Sequence, residues 1–157
     1  MSVEHLEIRQ LPFTAPESVG LVTDLLADLG ARYNSSGDDT PVDAGEFDPP
    51  DGAFLVAFSG GSPVGCAGWR RHGTDGEAAE LKRMYTAPAG RRRGVARAVL
   101  RAVEDSAREL GRKRLILECG VKQPEAIAFY TANGYERIPD FGYYKGYPDV
   151  RSFGRTL

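Results

Sequence analysis

The spacing of apolar residues changes along the chain, and each change predicts a new element. His5 to Leu11 alternates apolar and polar side chains, as a first strand does. From Pro16 to Leu29 the apolar positions Val19, Val22, Leu25, Leu26 and Leu29 recur on one helical face. Pro16 suits the first turn of that helix and Gly30 its C-terminal stop. Tyr33 to Asp51 shows no period. It is rich in Ser, Gly, Asp and Pro and reads as a loop, with one short helical turn near Val42 to Phe47. A loop this long inside a compact domain is usually functional or mobile.

Ala53 to Phe58 is a strand, Ser59-Gly60-Gly61-Ser62 its hairpin turn, and Pro63 to Arg71 the returning strand. Gly73 to Gly76 turns again, and Glu77 to Thr86 is a third strand ended by Pro88-Ala89-Gly90. The helical period then returns through Val95, Val99, Ala102, Val103, Ser106 and Leu110, with Gly111 as the stop. Leu115-Ile116-Leu117, within Arg114 to Cys119, is the continuous apolar run of a buried, parallel strand. Gln123 to Asn133 reads as a helix, with Pro124 near its start and Gly134 past its end. Tyr135 to Ile138 and Val150 to Arg155 are two last strands. This order predicts an α/β (α+β) domain. Glu77 to Cys119 is strand–helix–strand and calls for a right-handed parallel crossover. Ligands in α/β sheets collect at the carboxyl ends of such strands.

Composition narrows the class. A chain of 157 residues fits one domain, 1–157, and 41% hydrophobic with 27% charged residues is ordinary for a globular protein. No run approaches a membrane span, and Met1 to Gln10 lacks the basic start and apolar core of a secretory signal. Cys66 and Cys119 are too few for a disulfide framework or a zinc site. The expectation is a cytoplasmic protein, with no membrane partner and no metal. The net charge of −2 hides an asymmetry. Met1 to Glu80 holds 4 basic and 14 acidic residues, whereas Arg91 to Arg114 holds 9 basic and 3 acidic ones. A nucleic-acid binder is more often basic overall, so that class is not favoured.

The basic segment carries the candidate chemistry. Arg91-Arg92-Arg93-Gly94-Val95-Ala96 lies between a strand and a helix start. A bend containing a glycine, followed at once by a helix, presents N–H groups with no internal partner. The helix dipole and three arginines add positive charge there, which suits a pyrophosphate. A solvated basic loop is the plainer reading of the arginines alone. A dinucleotide module would need the fuller Gly-x-Gly-x-x-Gly turn and an acid further on, which Gly94-Val95-Ala96 does not supply.

Three stretches in order resemble the GNAT superfamily of acyl-coenzyme-A-dependent N-acyltransferases. Arg91, Gly94 and Ala96 match its Arg/Gln-x-x-Gly-x-Gly/Ala signature. Glu80-Leu81-Lys82-Arg83-Met84-Tyr85-Thr86-Ala87-Pro88 resembles its central strand, and Ala126 to Tyr135 its closing Tyr-containing stretch. The resemblance covers Val64 to Ile138 and implies a mixed, mostly antiparallel twisted sheet of six to seven strands. A splayed parallel central pair and about four flanking helices complete that fold. It implies acetyl-CoA as cosubstrate, a small-molecule or peptide amine as acceptor, no nucleic acid, and a monomer or homodimer.

Residue roles follow from the same resemblance. Met84, Tyr85 and Thr86 would meet the pantetheine arm. Arg91, Arg92, Arg93, Gly94, Val95, Ala96 and Arg97 would cradle the pyrophosphate, mainly through backbone N–H groups. Gln123 stands where many members carry Asn, so it is a coenzyme contact or a helix cap. Tyr130 would protonate the leaving thiolate, or else pack beside Phe129 and Tyr135. Glu80, fourteen residues before Gly94, is the candidate base for the amine, with Glu118 as rival. Glu80 could instead be a charge paired with Lys82 or Arg83. Cys119 is expected to be packed and inert, so the amine attacks directly. Asp38, Asp39, Asp43, Glu46 and Asp48 suit a cationic acceptor, or a merely soluble loop. Phe141, Tyr143, Tyr144 and Tyr147 would wall the acceptor pocket or cover the sheet edge. The second functional reading is a catalytically silent acyl-CoA-binding domain on the same fold.

Overall fold

Alternating and continuous apolar runs become seven strands of one sheet in the computed structural model, which describes residues 5–157. Residues 1–4, part of the stretch that bears on a secretory signal, lie outside the described residues. The strands are β1 (Leu6–Gln10), β2 (Gly52–Ser59), β3 (Ser62–His72), β4 (Ala78–Thr86), β5 (Arg114–Gly120), β6 (Glu136–Ile138) and β7 (Val150–Thr156). Their order in the sheet is β1-β2-β3-β4-β5-β7-β6. Every neighbouring pair is antiparallel except β4 and β5. That one parallel pair is joined by the crossover helix α2 (Val95–Glu109), as the strand–helix–strand reading requires.

Among the described residues the flanking helices are α1 (Pro16–Tyr33), α2 and α3 (Pro124–Ala132), close to the expected number. The segment after α1 contributes only a 3-10 turn, Ala44–Phe47, closed at its start by a reciprocal Asp43–Glu46 capping box. Helix α1 runs through Gly30 and ends at Asn34, whose φ of 51° is left-handed. The N–H groups of Asn34 and Ser35 both return to the Gly30 carbonyl. The stop is therefore Asn34, the other residue that tolerates this conformation, and Gly30 is absorbed into the last turn.

Each face of the sheet has its own core. Val95, Val99, Leu100, Val103 and Ala107 of α2 pack with Leu55, Ala67, Trp69, Leu115, Leu117 and the α3 residue Tyr130. Leu21 and Val22 of α1 pack on the other face with Phe47, Phe54, Val56, Phe58 and Cys66. No helix among the described residues is long and apolar enough to cross a membrane.

The parallel pair opens after three residues. β4 meets β5 only over Ala78–Glu80 against Arg114–Ile116. Beyond that point β4 stays with β3 as far as Thr86, while β5 stays with β7 as far as Gly120. A wedge opens between them, edged by strand backbone that the sheet leaves unpaired. β4 is also bulged there: Lys82 to Tyr85 spans one residue more than the facing Cys66 to Gly68, and Arg83 takes a φ of 57°.

Candidate active site

The wedge widens into a cavity of about 880 Å³, lined by residues from both faces of the sheet. Successive side chains of a strand point to opposite faces, so β5 divides its residues between the two sides. Leu117 and Cys119 join the core on the α2/α3 side, together with Tyr130 and the partly buried Met84. Glu118 lies between them in sequence and faces the other way, toward Lys82 and Asp38. All of these line the same cavity.

On the α2 side the cavity runs past the start of that helix. Gly94 takes a φ of 77° and a Cβ there would meet no atom within 4 Å, so its backbone stands open to the cavity. The first N–H groups of α2 receive no side-chain cap, which leaves them available to an anion. Arg91, Arg92, Gly94, Val95, Ala96 and Arg97 line the cavity. Arg93 does not: one of its guanidinium nitrogens donates to the Ala89 carbonyl at 3.1 Å. Arg91 Nε donates to the Thr86 carbonyl at 3.2 Å and so fastens the bend to the end of β4. Met84, Tyr85 and Thr86 line the cavity as well. Gln123 occupies the position before α3 without capping it, and its Nε2 donates to Tyr33 Oη at 3.3 Å.

Tyr130 is buried, and among the described residues its hydroxyl donates to Met84 Sδ, at 3.3 Å. A thioether is a weak acceptor. Burial raises the phenol above its ordinary range, so it keeps its proton at every working pH. Cys119 is also held as a thiol, pushed up to about 11 by burial first and by Glu125 second.

The two candidate bases sit close together and differ in their partners. Glu80 accepts from Arg70 Nε at 3.0 Å, and Arg70 also meets Glu46 at 3.1 Å and donates to the Pro41 carbonyl at 2.8 Å. Its neighbour is Arg70 rather than Lys82 or Arg83, and it borders a second cavity of about 530 Å³ with Thr40, Arg71, His72 and Tyr143. Glu118 is different. Among the described residues neither of its buried oxygens has a hydrogen bond of good geometry, the Tyr144 N–H approaching only loosely. Burial pushes its carboxyl up to about 7; Lys82 pulls against that rise, and Glu80 adds to it. Gly142 is what permits this crowding. It has a φ of 76°, and a Cβ there would lie 2.4 Å from Glu118 Oε1 and 4.0 Å from Glu80 Oε2.

The acidic loop is used internally. Asp38 is ion-paired with Arg83 and, at 3.5 Å, with Lys82. Burial opposes its ionisation, but Lys82, Arg83 and two hydrogen bonds from Thr40 outweigh that and hold it at about 2. Asp43 and Glu46 cap the 3-10 turn, and Asp39 accepts from Ser36. Within the loop, Asp38 and Glu46 are thus paired with the protein's own arginines and lysine. Tyr144 donates to Asp38 at 2.9 Å and, with Tyr147, lines the main cavity, whereas Tyr143 lines the second one. Sequence reasoning missed Gly142 and the joint turn of Lys82 and Arg83. The first needed the fold, and the second needed the bulge.

Comparison with known proteins agrees with this geometry. Residues 20–135 match the acetyltransferase (GNAT) family. The chain belongs to that family. This GNAT protein is 36% identical to an IAA acetyltransferase of Azospirillum brasilense over 126 residues, 80% of this chain and 81% of the relative. Among solved structures, a Klebsiella pneumoniae protein provisionally named an acyl-CoA N-acyltransferase superposes with a TM-score of 0.79 at 28% identity, covering 97% of each chain. The PaiA N-acetyltransferase of Thermoplasma acidophilum, solved with coenzyme A, shares the fold at a TM-score of 0.70 and 16% identity, over 98% of this chain and 99% of its own. The protein is thus an acyl-CoA-dependent N-acyltransferase of the GNAT type.

Proposed function

We propose that this enzyme moves an acetyl group from acetyl-CoA to a primary amine by direct attack across the wedge between β4 and β5. One observation supports the reading: a protonated phenol, Tyr130, and a carboxyl, Glu118, line the same wedge from opposite faces of the sheet. The coenzyme would lie on the Tyr130 side, with its pyrophosphate on the α2 cradle and its pantetheine along Met84, Tyr85 and Thr86. The amine would approach from the Glu118 side.

The amine nitrogen bonds to the thioester carbonyl carbon and the carbon–sulfur bond breaks. Glu118 accepts the proton that the nitrogen sheds, and Tyr130 supplies one to the departing sulfur. Both residues then exchange protons with solvent, so the products are the amide and the free thiol. Glu118 is better supplied for this than Glu80, whose carboxylate is already bonded to Arg70. A thiol held near 11 gives Cys119 little thiolate, which favours direct attack over an acyl-enzyme.

An amine panel with acetyl-CoA, read by free thiol, tests this. Release with at least one amine is expected; none with any amine would leave the silent acyl-CoA-binding domain as the better reading. Binding is tested separately by Gly94→Glu. That change puts a side chain on a left-handed residue and a negative charge at the cradle, so coenzyme A affinity is expected to fall at least about tenfold. Calorimetry showing equal affinity would reject the cradle.

A further inference from the structure

Charge on the acceptor side of the wedge is separated rather than uniform. In a regular strand Lys82 and Arg83 would point to opposite faces. The extra residue in β4 and the left-handed Arg83 bring both onto the Asp38 side, where each is only 7% exposed. An arginine in that left-handed conformation is strained, and such strain clusters at functional sites. Among the described residues the two cations share one paired carboxylate, Asp38, along with Thr40 Oγ1 at 3.2 Å from Lys82 and the Thr40 carbonyl at 3.3 Å from Arg83. That cluster holds one positive charge in excess. At the neighbouring second cavity the balance is reversed: among the described residues Glu46 and Glu80 share the cation Arg70. Glu118 lies between the two clusters, close to Glu80 and under the influence of Lys82.

A buried charge in excess is unfavourable unless something compensates it. A polycation would meet Lys82 and Arg83, and a simple anion would meet Glu80 and Glu46. A zwitterion matches both ends. Building on the acyltransferase reading, we propose that the acceptor is an amino-acid-type molecule whose carboxylate is held by Lys82 and Arg83. Its amine then faces Glu118, on the acidic side, within reach of the acetyl carbonyl. Lys82 and Arg83 are specificity-determining residues in this scheme, and Asp38 with Thr40 positions them.

The test pairs amino acids with the amines that differ only in lacking the carboxylate, each supplied with acetyl-CoA and read by free thiol. The expected result is a kcat/KM at least about tenfold higher for the best amino acid than for its decarboxylated partner. Lys82→Gln is expected to erase that preference through KM, and Lys82→Arg to restore most of it. Coenzyme A binding by calorimetry should stay at the wild-type level in both variants, which shows that they are folded. Decarboxylated amines that match or beat the amino acids across the wild-type panel overturn this inference and leave the acyltransferase reading intact. So does an unchanged preference in folded Lys82→Gln. No thiol release with any amine overturns both readings together.

Discussion

Tyr130→Phe is expected to lower kcat by about a hundredfold or more while leaving coenzyme A affinity within about twofold. The ring is packed edge-on against Phe129 at 5.3 Å and Tyr135 at 5.8 Å between centroids, and phenylalanine keeps those contacts. What disappears is one hydroxyl whose partner is a thioether sulfur. Losing so weak a hydrogen bond should cost little stability, so the melting temperature is expected to stay near that of the wild type. The hydroxyl matters only when negative charge develops on the departing sulfur, a far better acceptor than Met84 Sδ. The effect should therefore fall on turnover and not on binding, which is the signature of an interaction made in the transition state. Single-turnover rates and calorimetry on the same preparation separate the two. Wild-type turnover in a folded Tyr130→Phe variant would make Tyr130 a packing residue and place the acid elsewhere.

Much of this protein was legible before its structure. The strands, the crossover helix and the Gly94 bend before it follow from local periods and from that glycine, because each is decided by neighbours a few residues away. The wedge was legible only through resemblance, since nothing in Glu80 to Thr86 itself says where pairing with β5 stops. The length of α1 was misjudged because Gly30 and Asn34 are both acceptable stops, and the choice is made by which residue takes the left-handed turn. The internal pairing of part of the acidic loop was hidden for a physical reason. Asp38 and Glu46 look unpaired in the sequence, but Lys82, Arg83 and Arg70 approach them only once the loop folds over β3 and β4. Glu118 was visible as a candidate, but its surroundings were not. Among the described residues its oxygens lack well-formed hydrogen bonds and the backbone of Gly142 closes over it, and both are long-range facts.

Glu118→Gln is expected to change the pH dependence of the reaction as well as its rate. A base works only when ionised, and burial holds this carboxyl up to about 7. The wild-type rate should thus rise with pH through about 7 and then level off, because Glu118 is protonated below that point and cannot accept the proton of the amine. Glutamine cannot accept it at any pH. At pH 7 the variant is expected to be slower by about a hundredfold, and its rate should keep climbing with pH as more neutral amine is supplied by the solvent. Stability gives an independent readout with a definite sign. A carboxyl raised in the folded state favours folding below its unfolded value, and that contribution is lost as pH rises from about 4.5 through about 7. Wild type should therefore lose stability across that window, and Glu118→Gln should lose less. The urea midpoint of the variant at pH 8 is expected to equal or exceed that of the wild type. A pH–rate curve that overlays the wild type would remove Glu118 as the base, and the same pair of curves for Glu80→Gln would show whether its bonded neighbour takes that role.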